Sequence, residues 1–167
     1  MKRRIYLRVP TKADEREFIA AAKASRALHG RWIDAPDTTE KFHAYIERIK
    51  TGNVVPLLVC EEAGKSIVGV FNISNAIMGP FRSAYLGYYA FAGFERQGLM
   101  REGLRAVVKH AFGQMKLHRL EANIQPQNIA SIALVRSAGF KLEGYSPKYL
   151  KIFGRWRDHE RWAIVAD

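Results

Sequence analysis

A chain of 167 residues with 27 lysines and arginines against 16 acidic residues carries a formal charge of +11 and a pI near 10.0. That length suits one domain with a sizeable core, and the charge favours anionic partners such as a phosphorylated cofactor, an RNA-rich surface like the ribosome, or acidic peptides. The opening Lys2-Arg3-Arg4 leads into no signal-peptide pattern and no apolar run of about 18 residues occurs; the lone Cys60 forbids an intrachain disulfide and fits a reducing cytoplasm, and the five histidines (His29, His43, His110, His118, His159) lack metal-ligand spacing, so membrane, disulfide-framework and metal classes fall away.

In chain order, residues 5–8 read as a short strand. Thr11, with Asp14 three residues on, starts a helix running to about Leu28. A loop over 30–36 holds Arg31, Trp32 and Asp34. Asp37 then caps a second helix, with Glu40 in its first turn and Phe42, Tyr45, Ile46 and Ile49 on one stripe. Residues 56–61 and 66–74 form strands joined by a hairpin over 62–65, and 85–91 form another strand. Cys60 falls inside an apolar run and reads as a buried strand residue.

The stretch from Phe94 to Tyr145 is richer in chemistry. Leu104, Val107, Val108, Ala111, Phe112 and Met115 recur at helical spacing, while Arg101, Glu102, Arg105 and Lys109 face elsewhere. Gly98 stands where the first turn must begin. A helix N-terminus carries unpaired N–H groups and partial positive charge, so it attracts phosphate, and a glycine there admits close backbone approach. Arg96 and Arg101 add charge-assisted donors. A surface helix that merely begins at a glycine would look the same. Residues 119–125 alternate as a strand, with Leu120, Ala122 and Ile124 on one face. Pro126 and Asn128 then stop it and cap a short helix that ends at Gly139. Asn128 and Ser131 lie three apart and can share one groove, or can serve only as cap and first-turn residue. Two further strands meet near Phe153-Gly154. Alternating strands and helices without repeats or linkers give a single α/β domain over 1–167.

Four stretches carry a resemblance: Ser74-Asn75 with Tyr85-Leu86-Gly87-Tyr88; Gly98-Leu99-Met100 with Glu102 and Leu104; Asn128 to Ser131 through Gly139-Phe140; and Glu143-Gly144-Tyr145 with Gly154 and Trp156-Arg157-Asp158-His159. Together they resemble the GNAT superfamily of N-acetyltransferases, and within it the Rim-type (RimJ/RimL-like) N-terminal acetyltransferases of bacterial ribosomal proteins, over roughly residues 5–165. The resemblance implies a mixed, mostly antiparallel sheet flanked by helices, with acetyl-CoA as cosubstrate and no metal. It implies a pantetheine arm in a V-shaped gap between the strand carrying Tyr89 and Phe91 and the strand 119–125. It also implies pyrophosphate contacts along Arg96, Gln97, Gly98, Leu99, Met100 and Arg101, with Asn128 and Ser131 on the cofactor side. Gly87 is expected either to ease a bulge at the gap or to pack against an aromatic ring.

The chain departs from the family pattern twice. The phosphate motif's leading Gln or Arg is Glu95 here, and its last small residue is Met100; Arg96 or Arg101 can supply the missing cation. The tyrosine that protonates the departing thiolate in many relatives is replaced by Val135, which leaves Ser131, and less directly Tyr145, as the proton donor. Trp32, Tyr149 and Trp156, together with Tyr145, are expected to line the acceptor side.

The reaction itself bears on the acceptor. An amine attacks a thioester only when neutral, and an α-amine (pKa about 7.7–8) is neutral at pH 7 far more often than a lysine (about 10.4). No carboxylate lies between Ala84 and Phe91, and Glu121 is the one acid on the cofactor-side strand. Poverty of bases favours an N-terminal α-amine, such as that of a ribosomal protein, with direct transfer in a ternary complex. The alternatives are a small amine (antibiotic, polyamine or amino-acid derivative) and a non-catalytic module that binds CoA or RNA. No sequence-specific nucleic-acid contact is expected, since no RNA-binding aromatic signature is present.

Overall fold

The computed structural model describes residues 4–166; Lys2, Arg3 and Asp167 lie outside the described residues. Seven strands form one sheet in the order β1-β2-β3-β4-β5-β7-β6: β1 Ile5–Arg8, β2 Val54–Glu61, β3 Ile67–Ile77, β4 Ser83–Ala90, β5 Arg119–Ile124, β6 Lys141–Ile152 and β7 Arg155–Val165. Every neighbouring pair is antiparallel except β4 and β5. A parallel pair needs a crossover, and here it is the helix α4, Leu99–Gly113. This is the mixed α/β architecture expected.

The two faces of the sheet carry separate cores. On one, Leu104, Val107 and Ala111 of α4, with Val135 of α5 (Ile129–Ser137), pack over Val59, Phe71, Leu86, Leu120, Ala122 and Trp162. On the other, Phe18 of α1 (Glu15–Ala24) and Phe42, Tyr45 and Ile46 of α3 (Thr39–Lys50) pack over Leu58, Cys60, Val70, Tyr89 and Phe91. Period-two alternation along β4 and β5 thus assigns each side chain to the α4 face or the α1/α3 face. Gly103 brings α4 close to the sheet, since a Cβ there would lie 2.8 Å from a Val59 methyl and 3.3 Å from the Phe71 ring.

Local differences from the sequence reading have clear causes. The first helix opens as a 3-10 turn over Lys12–Asp14, and Asp14 accepts from the Thr11 N–H as its spacing suggested. The helix then breaks at Ser25, before the short α2 (Arg26–His29), because the Ser25 hydroxyl donates to Ala21 O and accepts from the Ala92 N–H. The cap of α3 is Thr38, not Asp37; Asp37 instead accepts from Arg26 and Lys41. Pro56 sits inside β2 and costs no ladder bond on the β1 side, since β1 pairs only as far as Leu58. Gly87 neither bulges nor packs: the β3–β4 register runs unbroken through Asn72 and Gly87, its irregularity falls between Ser74 and Ile77, and a Cβ on Gly87 would meet nothing within 4 Å.

Candidate active site

β4 and β5 pair only at Ser83 with Arg119, Ala84 with Leu120 and Tyr85 with Glu121. Beyond Tyr85 and Glu121 the two parallel strands part, and the remaining backbone of each faces an opening. Phe91 donates its N–H to Val68 O on β3 and Arg119 donates to Arg82 O, so alternation commits the Leu86 amide to the last bridge with β5 and turns the Tyr88 amide toward the opening. That corrects one expectation. Tyr89 and Phe91, expected at the gap, bury their side chains in the α1/α3 core, where their rings meet His29 and each other edge-on.

The loop before α4 is built to present its helix end. Gly98 is the N-cap residue in the left-handed region (φ 77°), and Arg96 also has positive φ (60°). Glu95 folds back to accept from the Gly93 N–H, and the Gln97 side chain donates to Gly93 O. The Glu95 carboxylate is therefore occupied within the loop. A further cation comes from outside the segment. Arg4 donates to Gln97 O, pairs with Glu102 at 3.1 Å, and ends 3.5 Å from where a Gly98 Cβ would stand, with Arg101 at 3.9 Å. Sequence reasoning missed Arg4 because 93 residues separate it from Gln97. Met100 turns inward, its sulfur over Gly69 on β3. The unpaired N–H groups of this first turn, the two arginines and the open backbone beside Gly98 suit a pyrophosphate.

Across the gap, Asn128 caps α5 by accepting from the Ser131 N–H at 3.2 Å, which commits its side-chain oxygen to the helix. The Ser131 hydroxyl lies 2.6 Å from the Tyr88 hydroxyl, and Tyr88 also reaches Ser131 O. Burial pushes the Tyr88 phenol well above its usual value, so it stays protonated. This pair joins the two arms of the gap. Tyr88 belongs to one of the stretches that carry the resemblance, yet only alternation counted from Phe91 shows which tyrosine of Tyr88-Tyr89 faces α5. Tyr145 is placed elsewhere: it stands on the edge strand β6, over half exposed, with its hydroxyl donated to Asp158, which raises the phenol's pKa.

On the α1/α3 face beside the gap, the expected acceptor residues divide. Tyr149 arrives because the β6–β7 register slips between Ser146 and Leu150; its hydroxyl comes near that of Tyr85 and raises the Tyr85 phenol's pKa, and its ring lies 6.3 Å from that of His159. Trp156 sits 60% exposed near the β6–β7 turn, and Trp32 stacks under Arg31 in its own loop. Glu121 is bound to Arg119 at 2.9 Å, which also pairs with Glu143. Its carboxylate is therefore engaged by a guanidinium. Among the described residues no three His, Cys, Asp or Glu side chains gather as metal ligands, and no helix is long and apolar enough to cross a membrane. A shallow cavity of about 660 Å³ beside α5 is lined by Ile129, Ile132, Leu142 and Trp162, and by nothing from β4 or the α4 loop.

A splayed parallel strand pair with a glycine-led helix end beside it defines an acyl-CoA-dependent transferase. Residues 4–141 match the family model of the acetyltransferase (GNAT) domain, and the chain belongs to that family. It is 42% identical over 101 residues to the [ribosomal protein uS5]-alanine N-acetyltransferase of Escherichia coli, covering 60% of this chain and 52% of that enzyme. The chain therefore spans about half the length of this relative. It is 29% identical over 133 residues to the L-methionine sulfoximine/L-methionine sulfone acetyltransferase of Pseudomonas aeruginosa, covering 76% and 74%. It superposes on Mycobacterium smegmatis RimJ in complex with CoA-disulfide with a TM-score of 0.89 at 25% identity, covering 97% and 82%.

Proposed function

We propose that this acetyltransferase acts on the N-terminal α-amine of a protein, a ribosomal protein being the favoured class, in a ternary complex with acetyl-CoA in the cytoplasm. The observation that carries the reading is the state of Glu121: the one acid on the gap-lining strand β5 is held by Arg119. A gap-lining strand whose one carboxylate is engaged suits an acceptor that is already partly neutral. At pH 7 an α-amine is neutral in roughly one molecule in five to ten, and a lysine in well under one in a thousand. The likeness to the uS5-alanine enzyme points the same way.

Bound acetyl-CoA supplies the thioester carbonyl that the amine attacks. Gly98 and the first turn of α4, with Arg4, Arg96 and Arg101, hold the pyrophosphate end. The Tyr88 amide, freed from strand pairing, offers a hydrogen bond in the gap. The amine approaches from the face that bears Tyr85, Tyr149 and Glu121; as its C–N bond forms and the C–S bond breaks, the Ser131 hydroxyl, oriented by Tyr88, donates a proton to the departing sulfur and is reprotonated through solvent, which takes the proton the amine sheds.

A second reading, a small α-amino acid derivative as acceptor, is favoured by the likeness to the methionine sulfoximine/sulfone enzyme. The test is thiol release from acetyl-CoA with peptides bearing free N-terminal Ala or Ser, the same peptides N-blocked but containing lysine, free amino acids, polyamines and aminoglycosides. Turnover confined to free peptide N-termini is the expected result; turnover on small amines alone overturns the protein reading.

A further inference from the structure

Among the described residues, three buried side-chain polar atoms have no hydrogen-bond partner: the Tyr89 hydroxyl, Asn123 Oδ1 and Arg161 Nε. Two of these belong to directly opposed residues. Asn123 on β5 pairs with Arg161 on β7, so their side chains leave the same face side by side, with Cβ atoms about 5 Å apart. That face is the one bearing Glu121 and Tyr85, since Asn123 lies two residues beyond Glu121. It is also the first β5 position of that face past the point where β4 and β5 part. Gly144 opposes Arg161 from β6, and a Cβ on it would lie 2.5 Å from the guanidinium. The neighbouring strand therefore gives up a side chain to admit the arginine.

Buried polar groups without partners are costly, and those that a protein keeps mark a catalytic role or a place for water, an ion or a ligand. Here the two are of opposite kind: Asn123 Oδ1 only accepts and Arg161 Nε only donates. A ligand that satisfies both presents a donor and an acceptor a few ångströms apart. An α-amine and the carbonyl of its own residue do this, with nitrogen and oxygen about 3 Å apart. A polyamine offers donors and positive charge alone, and the guanidinium repels it.

We propose that Asn123 and Arg161 form the acceptor subsite, Asn123 receiving the N–H of the attacking amine and Arg161 the adjacent carbonyl or carboxylate oxygen. The substrate class is thus an α-amino carbonyl compound. The inference rests on the acetyltransferase reading above and narrows its acceptor. The guanidinium also disfavours an ammonium beside it, so the bound amine is held in the neutral form that attacks.

The experiment measures kcat/KM, expressed per neutral amine, for an N-terminal alanyl peptide, its analogue with the first carbonyl reduced to methylene, free alanine, and spermidine. Wild type is expected to prefer the carbonyl-bearing peptide over the reduced one by about ten- to a hundredfold, the range for a hydrogen bond to a charged group. Arg161→Met brings that ratio to within about threefold, while the KM for acetyl-CoA stays unchanged and shows the fold intact. Should Arg161→Met fail to fold, Arg161→Lys is expected to lower the same ratio. Asn123→Ala lowers kcat/KM for both peptides alike. A ratio near one in wild type, or one that survives in the arginine variants, overturns the subsite while leaving the peptide acetyltransferase standing. Turnover of spermidine and of no α-amino carbonyl compound overturns both. Free alanine turned over as well as the peptide supports the subsite and overturns the protein N-terminus as its source.

Discussion

The Tyr88–Ser131 pair makes a sharp kinetic prediction. At pH 7 a thiol of pKa about 8.5 leaves as thiolate at a cost of about 1.5 units, or ~2 kcal/mol, which is a factor of about 30. A hydrogen bond to that developing charge is worth about 1.5–3 kcal/mol. Ser131→Ala is therefore expected to lower kcat by about 10- to 100-fold, with little change in the KM for acetyl-CoA. Tyr88→Phe keeps the ring that packs 5.4 Å from Phe71 and removes only the hydroxyl 2.6 Å from Ser131. It loses the orientation of the serine and is expected to cost about 1 kcal/mol, roughly fivefold. If the two hydroxyls act as one unit, Tyr88→Phe adds nothing in the Ser131→Ala background. The assay is thiol release at saturating acetyl-CoA for the two single variants and the double. Effects that multiply, or an unchanged kcat in Ser131→Ala, refute the relay.

Other expectations concern the scaffold. Gly98→Ala forces a Cβ into a left-handed residue (φ 77°) beneath Arg4 and Arg101, so the KM for acetyl-CoA should rise about tenfold, with about 1 kcal/mol lost in stability by thermal melting. Arg4→Ala removes both the contact to Gln97 O and the cation beside the loop; calorimetric titration should find acetyl-CoA binding weakened severalfold, with a shallower salt dependence. Gly103→Ala gains about 1 kcal/mol of helix propensity but pushes a methyl onto buried Val59 and Phe71 at about 1–3 kcal/mol, so a net loss and a Tm lower by a few degrees are expected. Burial alone would raise the pKa of Asp14, but its bonds to Arg8 and Thr11 outweigh this and hold it below the usual range. Its stabilisation is thus present above about pH 4 and is lost as pH falls through the depressed value. Asp14→Asn should destabilise by about 2 kcal/mol at neutral pH, and chemical denaturation should find that gap closing in strong acid.

The elements were legible wherever one periodicity dominated. The stripe from Leu104 to Ala111 gave α4, the alternation of Leu120, Ala122 and Ile124 gave β5, and Gly139 (φ 95°) ends α5 as a glycine after a helix should. The site was legible only where its parts are contiguous, as from Arg96 to Arg101 or from Asn128 to Ser131. What sequence could not supply was which neighbours share a face. Tyr88 and Tyr89 are adjacent, yet one meets Ser131 and the other enters the α1/α3 core. Arg4 meets the loop before α4 through its side chain, and Asn123 meets Arg161 through a strand pairing, neither with a local signature. Ser25 reads as a helical residue until its bond to Ala92 is seen. Asp37 lost the cap to Thr38 because two cations claim its carboxylate.

The parting of β4 from β5 also divides the chemistry between the faces of the sheet. The α4 face carries groups suited to a phosphorylated thioester and its leaving sulfur: the Gly98 turn, the arginines around it, and the Ser131–Tyr88 hydroxyls. The opposite face carries Tyr85, Tyr149, Asn123 and Arg161, with the acid of Glu121 tied to Arg119. A positive charge helps on both faces for different reasons. Beside Gly98 it attracts phosphate. Beside Asn123, on the proposed subsite, it would keep an incoming amine neutral, which substitutes for a base when the amine's own pKa is near 8 but falls far short for a lysine near 10.4, where the neutral fraction is roughly 300-fold smaller. On the proposed subsite, a basic chain with one engaged acid at the gap would be matched to α-amines, and the same arginine that spares it a base would turn polyamines away.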